Sequence, residues 1–580
     1  MTMAFLDRVR RRVRRSLGLI GLLALAPQAG WAAPLHRPLP ADSLEQNGDT
    51  QVLRPHPLLQ PPPPALPGGG LHPRAAAGLR RVYSGTPIDV LTYQYTNLRT
   101  GWNSRETELT PANVGSAAFG QIATLSVDGL VLSQPLMVSN YKMPNGSVHN
   151  LLIVATSNNS VYAFDAQTYA ILWKVNLGQN QSSSDVGCVD LPLGYGISST
   201  PVIVRRPDGA ATIFVVAATE PAHLSFHTTI HALDAGAGAD VVTPREIDPR
   251  VTLPAGGTIY FDPQDQWNRV GLAAGEGSIY VGVGSHCDED KDASTGWLLA
   301  YDTSLKLEKA FNTIDSATGG LELASIWMSG FAPAIDAVGD VFVVTGNGAV
   351  APGASAPNYG QSVLSLKAGL SQVLTTFTPA SYNLLNQHDT DFGSGGVMLL
   401  PSAPGQTALA VAMGKDATLY LLNAASLGGL HSGDSGALQA QRLAPSGQGL
   451  WGGPAYYGAT NGGRVYVQIN DDVLRAFSVS TGAHPALTQV ATGTSTAGYG
   501  GSIPVVSSDG TRAGTAIVWL VRRASTPQLE AYDAAKLGNP IFAANAGPPA
   551  PRPLVSPLVA NGRVYVPGKA VVTVFGLTGD

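Results

Sequence analysis

The chain is poor in charge and in cysteine, and it lacks a long apolar run. Charged residues make up only 13% of its 580 positions, against a usual share of about a quarter. The two cysteines, Cys188 and Cys287, lie far apart. That excludes a CxxCH haem attachment, a CxxC redox pair and a Cys-rich zinc site, so any metal is left to oxygen or histidine ligands. No Walker A sequence, no HExxH and no Rossmann fingerprint followed by a helix can be found. With 67 Gly and 42 Pro, long uninterrupted helices are excluded as well. A hydrophobic content of 44% rules out wholesale disorder. The length exceeds one ordinary core, which requires several domains or a repeat architecture.

What positive charge there is collects at the start. Arg8, Arg10, Arg11, Arg12, Arg14 and Arg15 precede the apolar run Leu17 to Ala26, and Gly30-Trp31-Ala32 offers a small-x-small cleavage site. Residues 1–32 read as a secretory signal peptide, with Sec and twin-arginine export both open. The apolar run is about half the ~20 residues a spanning helix needs, so no transmembrane segment is expected in the mature chain. Removing the segment takes six arginines and one aspartate from 35 basic and 40 acidic residues and leaves a net charge of about −10. Nucleic acid and anionic membrane surfaces are disfavoured as partners. Export implies a periplasmic or secreted protein, in which a Cys188–Cys287 disulfide is an expectation. Residues 33–91 follow as a Pro/Gly-rich disordered linker. Gln60-Pro61-Pro62-Pro63-Pro64 and Pro67-Gly68-Gly69-Gly70 mix polyproline II with flexible turns there, and a basic run from Arg74 to Arg81 comes near its end.

From residue 92 onward, short β-branched and aromatic runs alternate with glycine, and one phrase returns. It consists of a small or polar residue, proline, aliphatics, a turn and a second strand of valine and aromatic residues. Instances begin at Gln134-Pro135-Leu136, Thr200-Pro201-Val202, Ala332-Pro333-Ala334, Gly453-Pro454-Ala455, Ile503-Pro504-Val505 and Ser556-Pro557-Leu558, and without the proline at Leu272 and Gly396. The starts are about 50 to 70 residues apart, room for four short strands with loops. The second half of a unit is clearest in Ser160 to Thr168, running on to Leu172-Trp173-Lys174-Val175. A four-stranded sheet cannot cover both of its faces alone, whereas sheets stacked radially around an axis cover one another. The prediction is an all-β, eight-bladed β-propeller over residues 92–580, with seven blades as the alternative. The last unit, Val555 to Gly579, is one strand short, and Phe119 to Val127 precedes the first full unit. Pairing between these two is expected to close the ring.

Tyr162 to Trp173 resembles the tryptophan-docking repeat of the quinoprotein propellers, which include the pyrroloquinoline quinone (PQQ) alcohol dehydrogenases and repeat proteins without cofactor. The likeness runs from about Asn97 to Gly579, and Thr110-Pro111-Ala112-Asn113-Val114 resembles the phrase before the family's closing strand. The repeat marks architecture, so chemistry has to be argued at the axial site. In the family's dehydrogenases the quinone stacks on a tryptophan, chelates a calcium ion held by Glu, Asn and Asp, and is polarised by Lys or Arg, while the Asp acts as base. Here Asp391-Phe392-Gly393, Val397-Met398-Leu399 and Gly414-Lys415-Asp416 resemble the stretch with the catalytic Asp and the quinone-contacting Lys. The resemblance implies Asp391 as base and metal ligand, and Lys415 as polariser. Val344-Thr345-Gly346-Asn347-Gly348 resembles the loop whose Asn binds calcium, Ile326-Trp327 falls at the stacking tryptophan, and Trp451 adds an aromatic wall. A carboxylate beside calcium stays ionised and accepts a hydroxyl proton, and an ammonium stabilises charge developing on the quinone oxygen. A side-chain carbonyl suits a hard cation and an indole face suits a flat quinone.

The departures bear on function too. Where the family has its calcium-binding Glu, this chain has Ser285-His286-Cys287-Asp288. Histidine is a poor calcium ligand, which leaves a shifted Asp288 or Glu289 to complete the site. The family's adjacent cysteine pair is missing. Asp288, Asp290 and Asp292 have the spacing of an EF-hand loop, but Ala293 replaces its Gly and Leu299 its closing Glu. Gly433-Asp434-Ser435-Gly436 echoes a serine-protease motif without an assignable triad. Two functions follow. One is a PQQ- and calcium-dependent dehydrogenase oxidising an alcohol or polyol, its electrons leaving to an external acceptor. The other is a non-catalytic binding or assembly scaffold for a protein or glycan partner, with a degenerate quinone site.

Overall fold

The computed structural model describes Tyr83 and residues 85–578, apart from 189, 254–255, 289–293, 315–322, 352–356, 404, 460–462, 525 and 550–555. The expected signal peptide, most of the expected linker, and Glu289, Asp290, Asp292 and Ala293 of the acidic loop lie outside the described residues, as do Val555 and Gly579. Eight four-stranded antiparallel blades stand in a ring, which decides against seven. Their first strands begin at Leu136, Val202, Ala273, Ala334, Val397, Ala455, Val505 and Leu558. Each start lies one or two residues after the beginning of the repeat phrase, and in the six phrases with proline it directly follows the proline, which cannot donate to the ladder and so sits just outside the strand. First strands such as Val397–Leu399 and Val505–Ser507 are short and buried throughout, whereas the fourth strand of blade one, Ile171–Asn176, is exposed or half-buried. The first strand of each blade is therefore the innermost.

The ring closes between its ends as the sequence predicts. Phe119–Leu130 pairs antiparallel with Lys569–Leu577 and supplies the outer strand of blade eight, beside Arg563–Pro567 and Leu558–Ala560. Apolar clusters lie between neighbouring blades: Leu136, Val138 and Ile153 of blade one pack with Ile203, Ile213 and Val215 of blade two. Trp173 crosses the same boundary, its indole N–H donating to the Ala235 carbonyl at 2.9 Å. Alternation along each strand gives every blade two apolar faces, and both are covered only when the ring is complete.

The segment from Val90 to Asn103 crosses the inner strands of all eight blades. Backbone carbonyls of Val90, Leu91, Asn97, Leu98, Thr100 and Gly101 accept the N–H groups of Met137, Ile203, Ile335, Leu399, Tyr456 and Val506 at 2.7–2.9 Å. The side-chain amides of Asn97 and Asn103 donate to Ala274 O and Val559 O, reaching blades three and eight. At its centre Arg99 is fully buried, donating to Pro333 O, Thr92 Oγ1 and Tyr93 O. Burial pushes its guanidinium down to about 9.

Candidate functional site

The inner strands have two ends with different neighbours. In blades four and five, Trp327 and Asp391 precede the first strands Ala334–Ile335 and Val397–Leu399, while Ile335 and Leu399 at the far ends meet Asn97 and Leu98. The candidate site therefore occupies one end of the axis, and the Val90–Asn103 segment crosses the other.

Close backbone packing brings Asp391 and Lys415 side by side. Lys415 N–H donates to Asp391 O at 3.1 Å. A Cβ on Gly414 would meet Phe392 Cα at 2.5 Å, and one on Gly393 would meet Gly346 N at 2.3 Å. Only glycine allows the Asp-Phe-Gly, Gly-Lys and Thr-Gly-Asn segments to approach this closely. Lys415 Nζ lies 2.7 Å from Asp391 Oδ1, and the Trp327 indole N–H donates to Asp391 Oδ2 at 2.8 Å. Gly346 makes room for that bond, since a Cβ there would lie 2.7 Å from Asp391 Oδ2 and 2.9 Å from Trp327 Nε1. Four sequence-predicted residues are thus gathered, because Lys415 Nζ also lies 5.3 Å from the Trp327 ring centre and 5.9 Å from that of Trp451.

Two members of the cluster have no forerunner in the sequence reading. Asp389, in the left-handed region after the helix Tyr382–His388, accepts from Lys415 Nζ at 3.0 Å and from Asn347 Nδ2 at 2.7 Å. Arg269 places its guanidinium carbon 4.8 Å from the ring centres of both Trp267 and Trp327. Asp389 stands two residues before Asp391, a visible signal. Arg269 belongs to another blade's approach, and no local pattern ties it to Trp327.

Burial pushes the Asp391 carboxyl up, against the opposing pull of Lys415 and the Trp327 N–H. Burial alone would push Lys415 down, but Asp391 and Asp389 together hold it well above its ordinary value. Asp288 is raised to about 6, by burial first and then by the charges of Asp391 and Asp389. Its Oδ1 accepts from Ser285 Oγ and Ser325 Oγ. His286 is buried, stacked 5.6 Å from the Trp267 ring centre and edge-on to Tyr195, with neither ring nitrogen hydrogen-bonded. Burial lowers it to about 3 and keeps it neutral. Cys188 and Cys287 are joined in a disulfide, as expected from the sequence.

The quinone half of the expected site fits: Trp327 is half-buried, an aromatic wall stands at Trp451, and two cations face Trp327. This donor set suits a flat, carbonyl-bearing, anionic group. The calcium half does not fit. Both Asp391 oxygens face nitrogen groups, Asn347 Oδ1 accepts from Gln361 Nε2 at 2.8 Å, and neutral His286 stands where a carboxylate is needed. Among the described residues, Asp288 and Asp391 join no cluster of three acidic, His or Cys ligand atoms close enough to share an ion. A hard cation needs six or more oxygens, which these residues do not offer.

No protein-family model matches the sequence, and no curated protein matches it. Solved structures do share the fold. The quinohemoprotein alcohol dehydrogenase of Comamonas testosteroni is similar at a TM-score of 0.54 and 16% identity, over 87% of this chain and 84% of that one. The quinohemoprotein alcohol dehydrogenase ADHIIG of Pseudomonas putida HK5 is similar at 0.50 and 14%, over 85% and 80%. At these identities the likeness concerns architecture. Among the described residues no helix is long and apolar enough to cross a membrane.

Proposed function

We propose that the protein is an exported quinoprotein-type oxidoreductase that oxidises an alcohol or polyol at the axial cluster. The observation that carries this reading is the buried contact of Asp391 with both Lys415 and Trp327, assembled from three separate segments. Asp391 accepts the hydroxyl proton of the substrate. Its burial makes it a stronger base than an ordinary carboxylate, and the Trp327 N–H and the Lys415 ammonium hold its two oxygens in place. Lys415, held by Asp389 and Asp391, keeps a positive charge where negative charge develops on a carbonyl oxygen. Trp327, Trp451 and Arg269 would hold a PQQ-class cofactor by stacking and charge, and that group, when bound, supplies the two-electron acceptor. No step is assigned to calcium. Export, the periplasmic or secreted location and an external electron acceptor belong to the same reading.

The scaffold alternative draws on His286, whose neutral ring occupies the expected carboxylate position. Calorimetric titration of PQQ into the purified chain, with and without calcium, separates the two. We expect binding that Trp327→Ala weakens at least tenfold and that calcium changes little. Dye-linked alcohol oxidation should fall by about 10²–10⁴ in Asp391→Asn, the usual range for a lost general base. Absence of PQQ binding in both conditions would overturn the enzyme reading in favour of the scaffold.

A further inference from the structure

Blade two carries a second cluster of ligand-type side chains, outside the axial site. We propose that Asp185, Glu220 and His223 form a binding site for a divalent transition metal of the zinc class. The proposal does not depend on the quinoprotein reading.

One ligand atom from each residue lies within 4.8 Å of the others, and His223 Nδ1 is 2.8 Å from Asp185 Oδ2. Donors at ~2.1 Å from a shared tetrahedral ion are ~3.4 Å apart, so side-chain adjustment alone brings all three onto one ion. The ligands come from the short helix Ser183–Val186 and from the chain just after the strand Ala211–Thr219.

Glu220 is the buried member of the set. The residue is 2% exposed, and a buried carboxylate is ordinarily paired with a cation or bound to a metal. Among the described residues no Lys or Arg forms an ion pair with Glu220 or Asp185; the ion-pair partner present is His223, which faces solvent. Backbone N–H groups of Ser182 and Leu224 hold the two Glu220 oxygens at 2.9 and 2.8 Å. Each oxygen keeps a lone pair. Two carboxylates this close repel each other, and a divalent ion between them removes the repulsion. An imidazole in the set favours zinc over calcium or magnesium, which prefer oxygen alone. Glu220 follows the second strand of its blade as His286 follows Ser278–Ser285 in blade three. A carboxylate lacking at the mouth of blade three is thus present one blade earlier.

Zinc chloride titrated calorimetrically into the chelator-stripped chain, without quinone, is the test. One equivalent should bind at least tenfold more tightly than calcium, with a rise in melting temperature. His223→Ala changes a side chain that is 75% exposed, so it leaves the fold intact and should weaken binding at least tenfold. Glu220→Gln should do the same, and if that variant fails to fold, His223→Ala decides. A lack of saturable zinc binding, wild-type affinity in His223→Ala, or calcium binding as tightly as zinc would each overturn the proposal.

Discussion

Lys415 is the residue on which the axial cluster turns. It is the ammonium between Asp391, whose side chain is 2% exposed, and Asp389, which is open to solvent. Removing it strands a buried carboxylate, and breaking a buried pair in this way typically costs about 3–5 kcal/mol. Lys415→Met is therefore expected to lose about that much stability near pH 7.5. The loss should shrink toward pH 5, and its sign follows from linkage. Without the ammonium, burial holds the folded-state pKa of Asp391 still further above its unfolded value. The folded chain then binds a proton that the unfolded chain releases, so stability falls as pH rises. The double variant Asp391→Leu/Lys415→Met should be more stable at pH 7.5 than Lys415→Met alone, because no charge remains buried. Denaturant melts of the three chains at both pH values check this. Equal losses at pH 5 and 7.5 would show that Lys415 contributes packing and not charge.

At the scale of elements, strand starts were legible because proline marks them, and blade two begins directly after Thr200-Pro201 as blade six does after Gly453-Pro454. The apposition of Asp391 with Lys415 was legible for a similar reason: the glycines of Asp-Phe-Gly and Gly-Lys-Asp are needed for the backbone contact that joins them. Asn347 shows the limit. The sequence placed it at the site but could not show that its amide would donate to Asp389 and accept from Gln361, since both partners are set by tertiary packing. Arg269 was illegible for the same reason. The disulfide joins the turn after blade one to the mouth of blade three, with Cα atoms 5.8 Å apart and 99 residues between the cysteines. Closing a loop of that length restricts the unfolded chain, typically stabilising the fold by about 2–4 kcal/mol. Cys188→Ser/Cys287→Ser should lower the denaturant midpoint by that equivalent, and reductant should do the same to the wild type. A midpoint that reductant leaves unmoved would assign the bridge no part in global stability.

At the scale of the whole molecule, two stretches near the start of the described chain hold the ring together by different means. Phe119–Leu130 closes it laterally by completing blade eight. Val90 to Asn103 ties the inner strands of all eight blades to one segment, six blades through backbone hydrogen bonds at 2.7–2.9 Å and blades three and eight through the side chains of Asn97 and Asn103. The two roles are separable by truncation. A chain beginning at Ser104 keeps the closing strand but loses the axial segment, and each lost bond is worth about 0.5–1.5 kcal/mol. A chain beginning at Val131 loses the closing strand as well and leaves Lys569–Leu577 as an open edge, a template for pairing with other chains. Against a reference beginning at Tyr83, the Ser104 chain should remain monomeric with a clearly lower melting temperature, and the Val131 chain should aggregate on size-exclusion chromatography. If the Ser104 chain melted with the reference, the blades would be held by neighbour contacts alone. The axial segment would then serve to close the far end of the site, and PQQ binding by the Ser104 chain would be the property to lose first.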